Sequence, residues 1–169
     1  MMSPRGIRTL GWVTFAVFLG MALALKVVVE PKTGFMPQNL QGPYTDQDLL
    51  NFANSLAAQS LMGLYKVLLW VDIVFIALFA LWGSLLHIVL SASPVRWIGV
   101  IATLAAAGLD LAEDRTIFTW LARAGTDFQV NLPVNTAALY SLTLAKFAAF
   151  LLALVSAYVI ARRFRKPGI

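Results

Sequence analysis

The sequence predicts an all-α, polytopic membrane protein: a four-transmembrane-helix bundle with an amphipathic helix on the extracytoplasmic side. Hydrophobic residues make up 60% of the 169-residue chain and charged residues only 12%, against about 45–50% and about 25% in soluble domains. Four apolar runs are each long enough to cross a bilayer, which takes about 20 residues. The basic residues cluster at the chain ends and in one short turn, a distribution that the positive-inside rule explains.

The first predicted span covers about residues 9–29 and follows Arg5 and Arg8. A basic start, an apolar middle and small residues near Ala24 also suit a secretory signal peptide, which is the rival interpretation. The run continues apolar past that candidate cleavage site, which favours a span. Residues 30–44 contain several Pro and Gly residues and are predicted to form a loop.

An amphipathic helix is predicted over about residues 45–61. Thr45 and Asp48 have the spacing of a capping box at its start. The apolar residues that recur at helical spacing are Leu49, Phe52, Ala53, Leu56 and Ala57. Such a helix suits three positions: in the outer membrane interface, across the mouth of the bundle, or simply packed on its neighbours.

The second predicted span covers about residues 64–90 and carries Asp72 within its apolar length. A short turn ending at Pro94 follows. The third span, about residues 95–114, must therefore run antiparallel beside the second. Helix is expected to continue as far as Arg115.

The fourth predicted span covers about residues 136–161, after a mixed segment over residues 116–131, and ends at a basic tail. With four spans, the N-terminal arginines, Arg96 in the short turn and the basic tail all lie on one side, which the positive-inside rule makes the cytoplasm. The predicted location is the bacterial inner (cytoplasmic) membrane, with both termini cytoplasmic. Residues 1–169 are predicted to form one membrane domain.

Three charged residues on three different spans fall at nearly one depth. Counting helical rise from the span ends places Asp72 roughly 12 Å, Asp110 roughly 10 Å and Lys146 roughly 13 Å below the outer surface. A charge at the centre of a spanning helix costs about 2.5–3.5 kcal/mol on insertion scales, so we expect these side chains to converge inside the bundle. Glu113 shares a helix face with Asp110, and Thr143 shares one with Lys146.

We assign two sets of residues to the resulting pocket, which is predicted to open toward the outside. The candidate catalytic residues are Asp72, Asp110, Glu113 and Lys146. The candidate substrate-binding residues are Tyr65, Lys66, Arg115 and Thr143. Paired carboxyl groups in a dry site suit acid/base chemistry, such as cyclisation, isomerisation or hydration of an apolar substrate.

Three functions compete for this cluster. The first is a structural network that holds the helices in register. The second is a site that binds, or transforms by acid/base chemistry, a small amphiphile or lipid at the outer leaflet. The third is an accessory or assembly subunit of a larger membrane complex. The expected partners are accordingly membrane lipid, a small amphiphile, other membrane proteins or a second copy of the chain.

Composition excludes several other kinds of site. The chain has no Cys and one His, which excludes a disulfide framework, a thiolate metal site and a bis-histidine haem site. It contains no phosphate-binding loop, His-Glu metal motif or serine-nucleophile elbow. The net charge of +5 does not imply nucleic acid, because the basic residues form no stripe. We expect no metal, no cofactor and no nucleic-acid partner.

Two further features of the spans carry structural expectations. His87 lies about four turns from Asp72, too far to join the cluster directly. It is predicted to be a polar residue near a helix end, and the rival interpretation is a proton relay or a pigment ligand. The small residues at Gly83-Ser84 and from Ala105 to Gly108 are predicted to mark close helix contacts.

The polar pattern resembles that of a family of bacterial four-span integral membrane proteins. The shared features are a Tyr near the start of the amphipathic helix, a Tyr seven residues before an Asp in the second span, Asp-x-x-Glu ending the third and Thr-x-x-Lys in the fourth. Here these are Tyr44, Tyr65 with Asp72, Asp110 with Glu113, and Thr143 with Lys146, within about residues 44–152. The resemblance implies the same polar cluster, and it implies no activity or substrate.

The chain departs from this family pattern at two places. Such members have Asn after the Glu, where this chain has Asp114 and therefore one more negative charge. They often have Pro or Tyr shortly after the Asp of the second span, where this chain has Ile76 and Phe79.

Overall fold

The computed structural model describes residues 3–34, 45–90, 94, 96–124 and 136–164, and every regular element among them is helical. The elements are α1 (Pro4–Ala24), a π-helical segment (Leu25–Val29), α2 (Glu30–Thr33), α3 (Asp46–Ala58), α4 (Met62–Leu90), α5 (Arg96–Ala124) and α6 (Thr136–Phe164). The all-α prediction is confirmed for this part of the chain. The predicted loop residues 35–44, much of the short turn, and residues 125–135 and 165–169 lie outside it.

Within the described residues, three helices are long and apolar enough to cross a membrane, judged by length and composition: Arg5–Thr33, Met62–Val89 and Thr136–Val159. α5 has the same 29-residue length as α4 and α6. However, it carries Asp110, Glu113 and Asp114 close together in its second half, which separates it from the three more apolar helices. The fourth span stays a prediction.

α1, the π-helical segment and α2 follow one another without a break and form the first helical rod. This rod is longer than the predicted span of residues 9–29. Ser3 caps its start by accepting a hydrogen bond from a backbone N–H at 3.2 Å. Near its end, Pro31 cannot donate to the carbonyl four residues earlier and crowds it, which gives a physical reason for the wider π-helical turn there. Gly34 ends the rod with a left-handed backbone at φ 71°. The prediction of a loop was therefore wrong for Glu30–Thr33.

α5 also continues further than the sequence predicted, through residues 116–124, where the sequence is mixed. Ile117, Trp120 and Leu121 recur at helical spacing and are buried in the hydrophobic core. This apolar stripe gives the added turns a face to bury, which stabilises helix that the polar residues between them would not favour alone.

α3 begins with the predicted capping box, which is confirmed. The Asp48 N–H donates to Thr45 Oγ1 at 3.3 Å, and the Thr45 N–H donates to Asp48 Oδ2 at 2.7 Å. Hydrogen bonds from the Thr45 backbone and side chain hold the pKa of Asp48 below its usual value, because they stabilise the ionised carboxylate. The cap therefore weakens only when the pH falls far enough to protonate Asp48.

The apolar face of α3 packs on the bundle. Its buried residues are Leu49, Phe52, Ala53 and Leu56, while Ala57, predicted on the same face, is exposed. They share one hydrophobic cluster with Tyr65 of α4, Leu121 of α5 and Leu139 of α6. α3 therefore covers the end of the bundle where α4 and α6 begin and α5 ends.

Small residues bring α4 and α5 into close contact. Gly99 leaves room for the ring of His87, and Gly83 leaves room for Thr103, because a Cβ at either glycine would overlap these side chains. Between the two contacts the residue number rises by four on α4 and falls by four on α5. The helices are therefore antiparallel, as the short turn predicts. Gly108, also predicted at a close contact, has no such neighbour.

His87 is buried near the end of α4, where it links α4 to α6. Its Nδ1 lies 2.7 Å from the Gly83 carbonyl oxygen, and its Nε2 lies 2.7 Å from Ser156 Oγ. Because a carbonyl oxygen only accepts, Nδ1 carries a proton. His87 thus has a packing role, and the helical rise keeps it about four turns from Asp72.

Candidate functional site

Lys146 of α6 binds two acidic residues of α5 in an ion-paired triad. Its Nζ lies 2.7 Å from Asp110 Oδ1 and also pairs with Glu113 Oε2. Thr143, one turn earlier on α6, donates to Glu113 Oε1 at 2.5 Å. Glu113 is fully buried, and both of its carboxylate oxygens have partners.

The sequence spacing explains why these four residues meet. Asp110 and Glu113 are three residues apart on α5, and Thr143 and Lys146 are three apart on α6. Each pair therefore lies on one helix face. Because the pairs match in opposite chain directions, α5 and α6 are antiparallel, and one turn on each helix aligns both contacts.

Asp72 lies beside this triad without joining it. The residue is buried, with only 7% of its surface exposed. In the described part of the chain, no residue is hydrogen-bonded or ion-paired with it. Asp72 lines a cavity together with Asp110 and Lys146. It is thus a buried carboxyl group that faces open space instead of a partner.

Asp114 also belongs to the cluster, although the sequence hypothesis did not include it. It is 1% exposed, and neither of its carboxyl oxygens has a hydrogen-bond partner among the described residues. Asp72 and Asp114 lie about three turns from the Gly83–Thr103 contact, each on the contact face of its helix. The antiparallel register therefore places the two carboxyl groups at one level between α4 and α5, where their ionised forms would repel each other.

The cavity has a volume of about 440 Å³ and a mostly apolar wall. Its aromatic lining consists of Phe18, Phe75, Phe79, Phe147 and Phe150. Both α1 and α6 line it, and no extensive packing joins these two helices in the described residues. The gap between α1 and α6 therefore gives the cavity a lateral opening, with α4 and α5 as its inner wall.

The end of the cavity nearest α3 is formed by the last turns of the first helical rod. Lys26 of the π-helical segment and Glu30 of α2 line it and pair with each other at 2.7 Å. From Phe18 to Glu30 the lining extends along this rod for roughly 18 Å. The sequence hypothesis placed no residue of the first span in the site. The one sequence feature that could have indicated this wall is the four-residue spacing of Lys26 and Glu30, which allows an ion pair on one helix face.

The structure brings together five of the eight residues assigned from sequence: Asp72, Asp110, Glu113, Thr143 and Lys146. The other three lie elsewhere. Tyr65 is on the same face of α4 as Asp72 but two turns higher, buried beneath α3 with its ring 5.1 Å from that of Phe52. Lys66 and Arg115 do not line the cavity, because each is rotated well away from its helix's polar face; Arg115 is exposed.

The arrangement combines one paired lysine with four carboxyl groups beside an apolar cavity. Among the described residues, the acidic side chains and His87 form no group that could hold a metal ion. A concave apolar site with a few polar groups at one place suits an occupant with an apolar body and a polar end.

Comparisons of the chain with known protein families, with curated proteins and with solved structures gave no match.

Proposed function

We propose that this chain is a four-span protein of the bacterial inner membrane, with both termini cytoplasmic, and that its cavity binds a small amphiphile or lipid at the outer leaflet. The observation that carries this proposal is the position of Asp72, an unpartnered and buried carboxyl group on the wall of a cavity that is otherwise largely apolar. The cavity volume of about 440 Å³ falls within the range of about 300–1,000 Å³ that small-molecule pockets occupy.

The side chains of α5 support a fourth span although its composition alone does not. Glu113 and Asp114 are buried inside the bundle, whereas Trp97, Ile101 and Leu104 are large, apolar and exposed. A helix with its acidic groups inside and large apolar groups outside suits contact with lipid. α5 also packs against α4 and α6, the helices predicted to span on either side of it.

The lateral opening suits an amphiphile that arrives from the bilayer. A molecule that enters between α1 and α6 would lay its apolar part along the phenylalanine side chains and its polar end against Asp72. The π-helical segment Leu25–Val29 borders this opening, and π-helical turns are frequent at functional sites.

The ion-paired triad favours a second role for part of the cluster. Lys146, Asp110 and Glu113 satisfy one another and hold α5 against α6, which is what a structural network requires. Asp72 and Asp114 make no such pairs among the described residues. A structural role therefore accounts for the triad and leaves these two carboxyl groups unexplained. An accessory-subunit role would show itself by co-purification of large partners in mild detergent.

The four-span topology is testable because the chain has no Cys. Single-cysteine variants Leu40→Cys, Ser93→Cys, Thr126→Cys and Gly168→Cys can be labelled in intact cells with a membrane-impermeant maleimide. We expect labelling at positions 40 and 126 from outside, and labelling at positions 93 and 168 only after permeabilisation. If α5 does not cross, positions 93 and 126 will label from the same side, and the four-span proposal fails.

The binding proposal is testable by filling the cavity. Ala22 of α1 lines it, so Ala22→Trp places an indole where the apolar part of the occupant would lie. Native mass spectrometry of the mildly solubilised wild type should show a discrete small-molecule adduct. In Ala22→Trp we expect the affinity for this molecule to fall at least about tenfold, a loss of about 1.4 kcal/mol in binding free energy.

The matched control is Ala16→Trp, which adds the same side chain to the exposed face of the same helix. This variant should keep the adduct at the wild-type level. An adduct that survives Ala22→Trp unchanged does not occupy the cavity. A wild type without any adduct would favour the structural role instead.

A further inference from the structure

The charges around the cavity do not balance, and the imbalance points to the charge of the missing group. Lys146 already has two carboxylate partners, Asp110 and Glu113. Lys26, at the end of the cavity nearest α3, already lies 2.7 Å from Glu30. Among the described residues, no other lysine or arginine contributes to the cavity wall. Both lysines on the wall therefore already have carboxylate partners, and neither pairs with Asp72 or Asp114.

Two buried carboxyl groups remain without a basic partner. Asp72 is more than nine-tenths buried and lines the cavity, and Asp114 lies behind it with both oxygens unpartnered among the described residues. A buried ionised carboxylate is costly unless it is paired. An anionic headgroup placed beside Asp72 would lie next to two acidic groups whose ionised forms repel it, and this disfavours an anionic occupant.

The lining between these groups and the opening is also suited to a cation. The rings of Phe75 and Phe79 stack with centroids 6.0 Å apart, and Phe79 lies 5.1 Å from Phe150. The faces of aromatic rings attract ammonium groups as well as packing against apolar chains. The described acidic residues provide no cluster of metal ligands, which favours an organic cation over a metal ion.

We propose that the occupant of the cavity is a cationic amphiphile, a long-chain ammonium compound whose charged nitrogen lies against Asp72. This inference rests on the proposed binding function and adds to it the chemical class of the ligand. The ammonium group supplies the positive charge that Asp72 and Asp114 lack, and the hydrocarbon chain extends past the phenylalanine side chains toward the opening between α1 and α6.

The test compares three probes that share a chain and differ in headgroup charge. Wild-type protein in neutral-lipid nanodiscs is titrated at neutral pH with dodecylammonium, dodecanol and dodecanoate, and bound probe is measured by equilibrium dialysis. Ala22→Trp nanodiscs serve as the blank, because they take up probe into lipid but have a filled cavity. Specific binding is the difference between the two.

We expect dodecylammonium to bind specifically about tenfold or more tightly than either other probe, and Asp72→Asn to abolish that preference. Equal or tighter binding of dodecanol or dodecanoate overturns the cationic assignment but leaves the binding function standing. Retention of the preference in Asp72→Asn overturns the role of that carboxyl. Absence of specific binding for all three probes removes the binding function itself.

Discussion

Replacing Lys146 by Met lowers the free energy of unfolding by about 3–5 kcal/mol, the cost of removing one partner from a buried ion pair. The loss is large because Glu113 is fully buried and Asp110 is mostly buried. Without the ammonium group, α5 keeps two acidic side chains in the interior with no cation beside them. The measurement is a denaturant titration of the purified protein in detergent micelles, followed by circular dichroism.

The matched control is Lys26→Met, which makes the same change in a pair whose lysine side chain is 70% exposed, against 14% for Lys146. Exposed pairs contribute about 0–1 kcal/mol, so we expect little loss. Adding Asp110→Asn and Glu113→Gln to Lys146→Met should restore most of the stability, because no unpaired charge then remains from the triad. If Lys146→Met costs no more than Lys26→Met, the triad does not hold α5 to α6.

Replacing Asp114 by Asn raises the free energy of unfolding by about 1–3 kcal/mol, because it removes an ionisable carboxyl group that is buried beside a second acidic group without a cation. Both oxygens of Asp114 lack hydrogen-bond partners in the described residues, and Asp72 lies level with it across the α4–α5 contact. The amide keeps the shape of the side chain and removes the charge. The same denaturant titration measures the change.

The adjacent residue supplies the control with the opposite sign. Glu113→Gln is also a carboxyl-to-amide change at a buried position of α5, but Glu113 binds Lys146 and Thr143. We expect Glu113→Gln to lower stability. If both variants lower it by similar amounts, Asp114 has a partner in the folded protein and the division of the cluster into paired and unpaired carboxyl groups is wrong.

Helical rise is the reason that sequence could place the polar residues at one depth. Counting residues along two spans predicted Asp110 and Lys146 at nearly the same depth. In the structure, Lys146 Nζ lies 2.7 Å from Asp110 Oδ1. The rise per residue varies little between helices, so depth follows from position in the sequence. The three-residue spacings on α5 and α6 likewise identified the faces on which Glu113 and Thr143 lie.

Direction around each helix axis was harder to predict, since it depends on which neighbours pack on either side. Asp114 follows Glu113 by one residue, a rotation of about 100°. It faces α4 because Gly83 and Gly99 allow α4 and α5 to approach closely. Tyr65 lies on the same face of α4 as Asp72, but α3 covers it. The residue spacing within the second span cannot show that another helix packs over this position.

The wall of the cavity depends on the arrangement of all the long helices together. α1 packs on α4 and α6 packs on α5, which leaves the opening between α1 and α6. Phe18 and Phe147 line that opening, yet in sequence each is one apolar residue among many in its helix. Sequence patterns report which residues are apolar, and they do not report which of two outward faces meets lipid and which meets a cavity.

The central claim is that Asp72, the unpaired carboxyl group on the cavity wall, holds a bound amphiphile. The most direct test is native mass spectrometry of the mildly solubilised wild type beside Asp72→Asn, with thermal stability measured on the same samples. The proposed function predicts a discrete small-molecule adduct in the wild type that is lost in Asp72→Asn, while the variant stays as stable as the wild type or becomes more stable. An absence of adduct in both proteins, with Asp72→Asn simply less stable, would contradict the claim and make the whole cluster structural.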